Sequence, residues 1–246
     1  LYAGLMSFGA VLSGMIGMIV AFRMFHLRFN RITWSGVWET LKEGWILFLS
    51  KASVSLYTAG NAFILGMLTN NTVVGYYSAA EKIVKSILGL LSPIAQAAYP
   101  RFSRLAAESR DRTLVWGRRM LAVMGGIGFL LMVGVLGEAR FISDLLLGPE
   151  FAPSVSVMQI LAPIIFLIAL SNVMGVQLLF PLHHDRFVLK IVYTAGLLNI
   201  TIALVLVPKW SANGMAVSVL VSELFVTVSY AVFLLFREGF FPIKTL

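Results

Sequence analysis

The sequence predicts an all-α, polytopic membrane protein with about seven transmembrane helices. Three observations carry that reading. First, 59% of the 246 residues are hydrophobic and only 12% are charged, with a mean hydropathy of +0.90. Soluble domains are about a quarter charged. Second, the apolar residues gather into runs of about 20, the length that crosses a bilayer core as a helix. Third, the basic residues crowd into alternate segments between those runs. There is no cysteine, which excludes a disulfide framework, a thiolate metal site and thiol catalysis.

The first run is Leu1 to Phe22. Ala3, Ser7, Ala10, Gly14, Gly17 and Ala21 recur at spacings of four and three, a seam suited to close helix packing in lipid. The run lacks an initiator methionine and a basic start, so it does not read as a signal peptide. The expectation is that the sequence is the C-terminal piece of a longer protein. Arg23, Arg28 and Arg31 follow. Next comes an amphipathic segment from Trp34 to Trp45 holding Glu39, Lys42 and Glu43. It is expected to lie on the membrane surface with its tryptophans at headgroup level.

The second span is Trp45 to Leu68. It carries Lys51, with Ser55 and Thr58 on the same face and Ser50, Tyr57 and Asn61 on the adjoining one. Thr69-Asn70-Asn71-Thr72 is a short turn. The third span, Tyr76 to Arg101, is the most informative. Wound at 100° per residue, it puts Ser78, Glu81, Lys82, Lys85, Gly89, Ser92 and Gln96 on one side. Ala79, Ile83, Ile87, Leu90, Leu91 and Ile94 fall on the other. A charge near mid-bilayer costs about 2.5–3.5 kcal/mol on insertion scales. The stripe therefore cannot face lipid, and it reads as one wall of a polar, mostly cationic cavity.

A basic loop follows, with Arg101, Arg104, Arg110, Arg112, Arg118 and Arg119 against Glu108 and Asp111. The fourth span is Met120 to Leu136. A slightly acidic loop holds Glu138, Arg140, Asp144 and Glu150. The fifth span, Ser154 to Leu182, should kink at Pro163 and end at Pro181. His183, His184, Asp185, Arg186 and Lys190 mark the next turn. The sixth span is Phe187 to Val207, the loop is Pro208-Lys209-Trp210, and the seventh span is Asn213 to Phe236. The tail holds Arg237 and Lys244.

Orientation follows. With the segment after the first span on the cytoplasmic side, that side holds Arg23, Arg28, Arg31, Lys42, the six loop arginines, Arg186, Lys190, Arg237 and Lys244. The other side holds Arg140 and Lys209. Fourteen against two is a strong positive-inside asymmetry, and it puts the C-terminus in the cytoplasm. The net charge of +8 is explained by this placement, so no nucleic-acid partner is expected.

Lys51, Glu81, Lys82, Lys85 and Glu223 remain inside spans. Intramembrane charge points to a functional site. A plainer reading stands beside it. Glu81 and Lys85, at i and i+4, can neutralise each other, while Lys82 and Lys51 can snorkel toward the span ends. Glu223, with Thr227 and Tyr230 on its face, either pairs with a lysine or is a protonatable coupling site; Glu81 is the other coupling candidate. Gly214, Ser218 and Ser222 read as a packing seam. Asn172, Gln177 and Asn199 read as interhelical hydrogen-bonding groups. No phosphate loop, serine triad or paired loop carboxylates can be found, so the chain is not expected to be an enzyme. His183-His184-Asp185 lacks a third ligand and reads as a solvated turn, with no metal site.

Three stretches carry a family resemblance. They are Phe63-Ile-Leu-Gly-Met-Leu68, Val74-Gly-Tyr-Tyr-Ser-Ala-Ala-Glu-Lys-Ile83 and Ser92-Pro-Ile-Ala-Gln-Ala-Ala-Tyr-Pro-Arg-Phe-Ser103. They resemble the Wzx-type polysaccharide transporters, the flippases of O-antigen and related glycans, in the superfamily of multidrug and polysaccharide exporters. The match is specific over about Phe48 to Leu105. The resemblance implies two six-helix lobes. Residues 1–44 would be the last helix of the N-terminal lobe plus a cytoplasmic linker, and 45–246 the C-terminal lobe.

The resemblance also implies the cargo, an undecaprenyl-pyrophosphate-linked oligosaccharide moved across the bacterial inner membrane by alternating access. Lys51, Lys82, Lys85, Ser55, Thr58, Asn61 and Gln96 would bind it. The expected partners are that lipid-linked oligosaccharide, membrane lipids, the N-terminal lobe of the same protein and the glycan polymerase machinery; no cofactor is implied. The competing readings are a cation-coupled multidrug antiporter, which would want a mainly acidic cavity, and a non-transporting membrane scaffold.

Overall fold

A computed structural model of the chain describes residues 2–25, 34, 38, 41, 45, 60–238 and 240. Every described element is a helix or turn, so the all-α expectation holds among them. The chain divides into two compact units, Leu1–Ser53 and Val54–Leu246, each taken here by itself. In the first, α1 (Tyr2–Phe25) covers the first predicted span. Phe8, Val11, Leu12, Met15, Ile16 and Ile19 are all exposed on it, as on a helix that is apolar all round. Of the predicted surface segment, Trp34, Trp38, Leu41 and Trp45 are described. All four are helical and exposed, and their spacing of four, three and four makes one stripe.

The first described element of the second unit is α2, seen over residues 60–68. The Asn70 side chain then caps α3 (Asn71–Gly89), accepting from the Val73 N–H at 3.0 Å. A bend at Leu90–Leu91 leads into α4 (Ser92–Glu108). Pro93 has no N–H and its ring crowds the Gly89 carbonyl, so Leu90 and Leu91 tighten onto Ile87 and Leu88. The predicted third span is thus one bent helical path, α3 into α4.

The predicted basic loop is not a loop. Ser109 alone breaks the helix before α5 (Arg110–Leu146). Its Oγ accepts from the Arg112 N–H at 3.5 Å and its carbonyl from the Thr113 hydroxyl at 2.9 Å. Asp111 sits in the first turn, where the helix dipole favours it. Hydropathy marked the apolar middle of α5, Met120 to Leu136, and could not see that polar ends stay helical outside the hydrocarbon.

The fifth span is built from α6 (Pro153–Leu161), α7 (Pro163–Asn172) and a π-helical turn, Val173–Leu179. Pro163 breaks it where expected. The π turn was not read from the sequence. Its buried Gln177 donates to the Ala95 carbonyl of α4 at 2.7 Å. Against α5 the fit is close: a Cβ added at Gly128 would stand 2.8 Å from the Ala169 Cβ.

The last stretch, α8 (Asp185–Glu238), is a hairpin. Ser211 (φ 48°, ψ −127°) turns the chain, and Phe187 near one end stacks on Phe233 near the other, ring centroids 4.0 Å apart. The two arms, 185–210 and 212–238, are the sixth and seventh predicted spans. A positive φ suits glycine and strains serine. Ser211→Gly is therefore expected to raise the melting temperature, with a gain of about 1 kcal/mol. An unchanged or lower value in thermal unfolding would show the turn to be unstrained.

Three helical stretches among the described residues are long and apolar enough to cross a membrane: Arg110–Leu146, Pro153–Leu179 and Asp185–Arg237. The last is a hairpin of two arms. The turns sort to two ends of the unit. At one, Ser154 Oγ donates to the Tyr76 carbonyl at 2.9 Å and Ser156 Oγ to Asn213 Oδ1 at 3.0 Å. At the other, Phe102, Leu114, Leu179, Val188, Leu234 and Phe240 share one core. Arg101 stacks on Trp116 at 3.7 Å there, and Arg118 lies 5.9 Å from the Phe240 ring. Arg101, Arg104, Arg110, Arg112, Arg118, Arg119, Arg186, Lys190 and Arg237 thus gather at one end. Arg140 and Lys209 lie at the other.

Candidate functional site

The polar stripe of α3 and α4 lies on the outside of the second unit. The buried side of the bent path is Tyr77, Ala80, Val84, Leu91, Ala95 and Phe102, which pack against α5, α6, the π turn and α8. That leaves Lys82, Lys85, Ser86, Gly89, Ser92 and Gln96 exposed and Ser78 and Glu81 half-buried. The reason is spacing. Apolar residues recur at three and four from Tyr77, and the polar ones fall between them.

Within the stripe, Glu81 is the hub. Lys85 Nζ lies 3.0 Å from Glu81 Oε1, with side chains 44% and 15% exposed. The Tyr77 hydroxyl donates to the same carboxylate oxygen at 3.1 Å. Tyr77 is fully buried, so it fixes Glu81 from the core side while Lys85 holds it from outside. Ser86 Oγ donates to the Lys82 carbonyl at 2.7 Å. Lys82 has no ion-pair partner among the described residues. Lys85 is also within electrostatic reach of Glu223 on the second arm of α8. One turn on from Glu223, the Thr227 hydroxyl donates to the Glu223 carbonyl at 2.8 Å and to the Leu167 carbonyl of α7 at 3.2 Å.

The structure therefore places Glu81, Lys82 and Lys85 on one face of α3, with Gln96 further along it and Glu223 of α8 within electrostatic reach of Lys85. Among the described residues the charges balance, two lysines against two carboxylates. The expected excess of positive charge rests on Lys51. Lys51, Ser55 and Thr58 lie outside the described residues.

Asn61 is placed differently from the stripe. It is 3% exposed and accepts a hydrogen bond from Asn199 Nδ2 at 2.6 Å. This joins α2 to the first arm of α8. Asn199→Ala is expected to cost about 0.6–1.7 kcal/mol, the range of interhelical hydrogen bonds in membranes, read as a lower melting temperature. Gln177 likewise bonds across helices, whereas the buried Oδ1 of Asn172 has no partner among the described residues. Ser218 and Ser222 are fully buried in the α8 seam. Two contributors were missed in the sequence. Ser86 extends the stripe, and the Tyr77 hydroxyl anchors Glu81; the spacing Tyr77, Glu81, Lys85 at steps of four was the available signal.

Comparison with known proteins adds a second line. The profile of a family described as "Polysaccharide biosynthesis protein" matches residues 1–106. The chain is 33% identical over 189 residues to a protein of Escherichia coli (strain K12) named "Putative O-antigen transporter", covering 77% of this chain and 46% of that protein. It is 28% identical over 190 residues to a Shigella dysenteriae protein of the same name, covering 77% of this chain and 47% of that one. The chain thus spans about half the length of the curated relatives it matches. No solved structure matches it.

Proposed function

We propose, from the premise that the chain belongs to the family of polysaccharide biosynthesis proteins, that it forms part of a transporter carrying O-antigen or a similar glycan unit across the bacterial inner membrane. The cargo is an undecaprenyl-pyrophosphate-linked oligosaccharide. Its diphosphate is a compact anion that lysines bind strongly where water is scarce. Its sugars take hydroxyl and amide partners such as Ser86, Ser92 and Gln96.

The observation that carries this reading is the outward-facing line of Glu81, Lys82 and Lys85 on the α3–α4 path, which we read as crossing the membrane beside the three more apolar stretches. Charge left uncovered on such a path asks for a polar chamber, and another part of the protein would close that chamber. Outward movement of negative charge across an inside-negative membrane is favoured by about 2.3 kcal/mol per charge per 100 mV. The two sides of the chamber open alternately, with the break at Pro163 as the point of bending. The C-terminus lies on the cytoplasmic face, as the basic end of the bundle suggests.

The balance of two carboxylates and two lysines favours a second reading, a cation-coupled antiporter working through Glu81 and Glu223. Vesicles containing the full-length protein separate the two. Labelled lipid-linked oligosaccharide is expected to reach the opposite leaflet faster than in protein-free vesicles. Movement at the protein-free rate, with cationic drugs exchanged instead, would reverse the order of the two readings.

A further inference from the structure

We infer that the basic end of the second unit holds a built-in site for the phosphodiester headgroup of an anionic phospholipid, between the open ends of the α8 hairpin. This does not rest on the transport reading. A cavity of about 470 Å³ is lined there by His183, His184, Asp185, Arg186, Phe187, Phe233 and Arg237. That volume is in the range of small-molecule sites.

Its walls are fixed by packing. Phe187 from one arm stacks on Phe233 from the other, and His184 meets Phe233 edge-on with centroids 5.0 Å apart. His183, at φ 62°, turns the chain into the cavity rim. The His183 and His184 N–H groups are already committed, to the Phe180 and Leu179 carbonyls at 2.9 Å. Arg186 and Arg237 are exposed and have no ion-pair partner among the described residues. Two guanidinium groups exceed the single Asp185 carboxylate on the lining.

The chemistry selects a phosphate on a lipid. A guanidinium binds phosphate oxygens in pairs. The aromatic rings beside the arginines suit the glycerol and acyl boundary of a lipid. The cavity lies at the end of the bundle where basic residues collect, beside the anionic leaflet surface. Basic pockets between membrane helices are the usual seats of such headgroups. A bound phosphodiester would bridge Arg186 on the first arm and Arg237 on the second, closing the hairpin at the end opposite its Ser211 turn.

The test is thermal unfolding of the full-length protein in nanodiscs, with phosphatidylglycerol or phosphatidylcholine as the lipid. Phosphatidylglycerol should raise the melting temperature of the wild-type protein. The rise should vanish in Arg186→Gln/Arg237→Gln, be partly kept in Arg186→Lys/Arg237→Lys, and persist in Arg104→Gln/Arg112→Gln, which removes the same charge at the same end. In phosphatidylcholine the Arg186→Gln/Arg237→Gln protein should melt with the wild type, which shows that it folds. A full rise in Arg186→Gln/Arg237→Gln, or its loss in Arg104→Gln/Arg112→Gln, overturns the site. A second arm adds inorganic phosphate to the protein in phosphatidylcholine. Protection there that depends on Arg186 and Arg237, and equals that of the lipid, would make this a site for free phosphate and not for a headgroup.

Discussion

Gly214→Val is expected to remove most of the folded protein. A Cβ at Gly214 would lie 2.5 Å from the Leu206 carbonyl oxygen, 2.6 Å from its carbon and 2.9 Å from the Val207 nitrogen. These are backbone atoms of the facing arm, and they cannot rotate away as a side chain would. The hairpin would have to splay. That would pull Val207, Met215 and Ala216, all fully buried, out of the core they share with α3 and α6. Overpacking a well-filled core costs about 1–3 kcal/mol, and occasionally more. Contact with rigid backbone puts this case at the upper end, about 3 kcal/mol, a large share of the 5–15 kcal/mol that holds a typical protein together.

The measurement is monodisperse yield and melting temperature in detergent. Gly214→Ala should already lower both. Gly126→Ala, where an added Cβ meets nothing within 4 Å, should leave both unchanged and serves as control. Wild-type values for Gly214→Ala would mean that the arms do not meet as described. The same residue illustrates what pattern reading misses. Gly214, Ser218 and Ser222 were legible as a seam because they repeat at four. That Gly214 faces Leu206 across a turn depends on the conformation of Ser211, and no propensity places a serine at positive φ.

Other elements divide along the same line. Local chemistry gave the break at Pro163 and the polar side of the α3–α4 path. Each follows from a missing N–H or a 3.6-residue period. The buried side was only partly legible: Leu90 and Ile94, placed on the apolar side, are exposed, whereas Tyr77, Ala80 and Val84 are fully buried. The extent of α5 did not follow, because hydropathy reports the lipid-facing middle of a helix and not its ends. The π turn at Val173–Leu179 leaves no periodic trace in seven residues. Its Gln177 was readable as a hydrogen-bonding group, but the partner, the Ala95 carbonyl, is 82 positions away. For the candidate site, the stripe itself was legible and its internal wiring only partly so. Glu81 and Lys85 announce their pairing by spacing, whereas the reach from Lys85 to Glu223 is made only when α8 folds against α3.

That reach decides what Lys85 is for, and it sets the second large effect. Lys85→Glu in the full-length protein is expected to lower glycan export at least ~100-fold, equivalent to about 2.7 kcal/mol on the limiting step. It would set carboxylates at 81 and 85 on one face of α3, with a third, at 223, within electrostatic reach of position 85. If Lys85 only neutralises Glu81, the exchange Glu81→Lys/Lys85→Glu keeps the i, i+4 pair and should restore export. The exchange also moves the positive charge one helical turn along α3, away from the position that Glu223 feels. It removes the carboxylate that the Tyr77 hydroxyl holds as well. A chamber that needs its cation at position 85 will therefore stay inactive in the exchanged protein, with folded yield close to wild type because the pair survives. Tyr77→Phe separates the remaining possibility. Loss of the 3.1 Å hydrogen bond alone should lower export only several-fold, since Lys85 still orients Glu81. Full export in the exchanged protein would leave Lys85 a structural counter-ion and take it out of the cargo site.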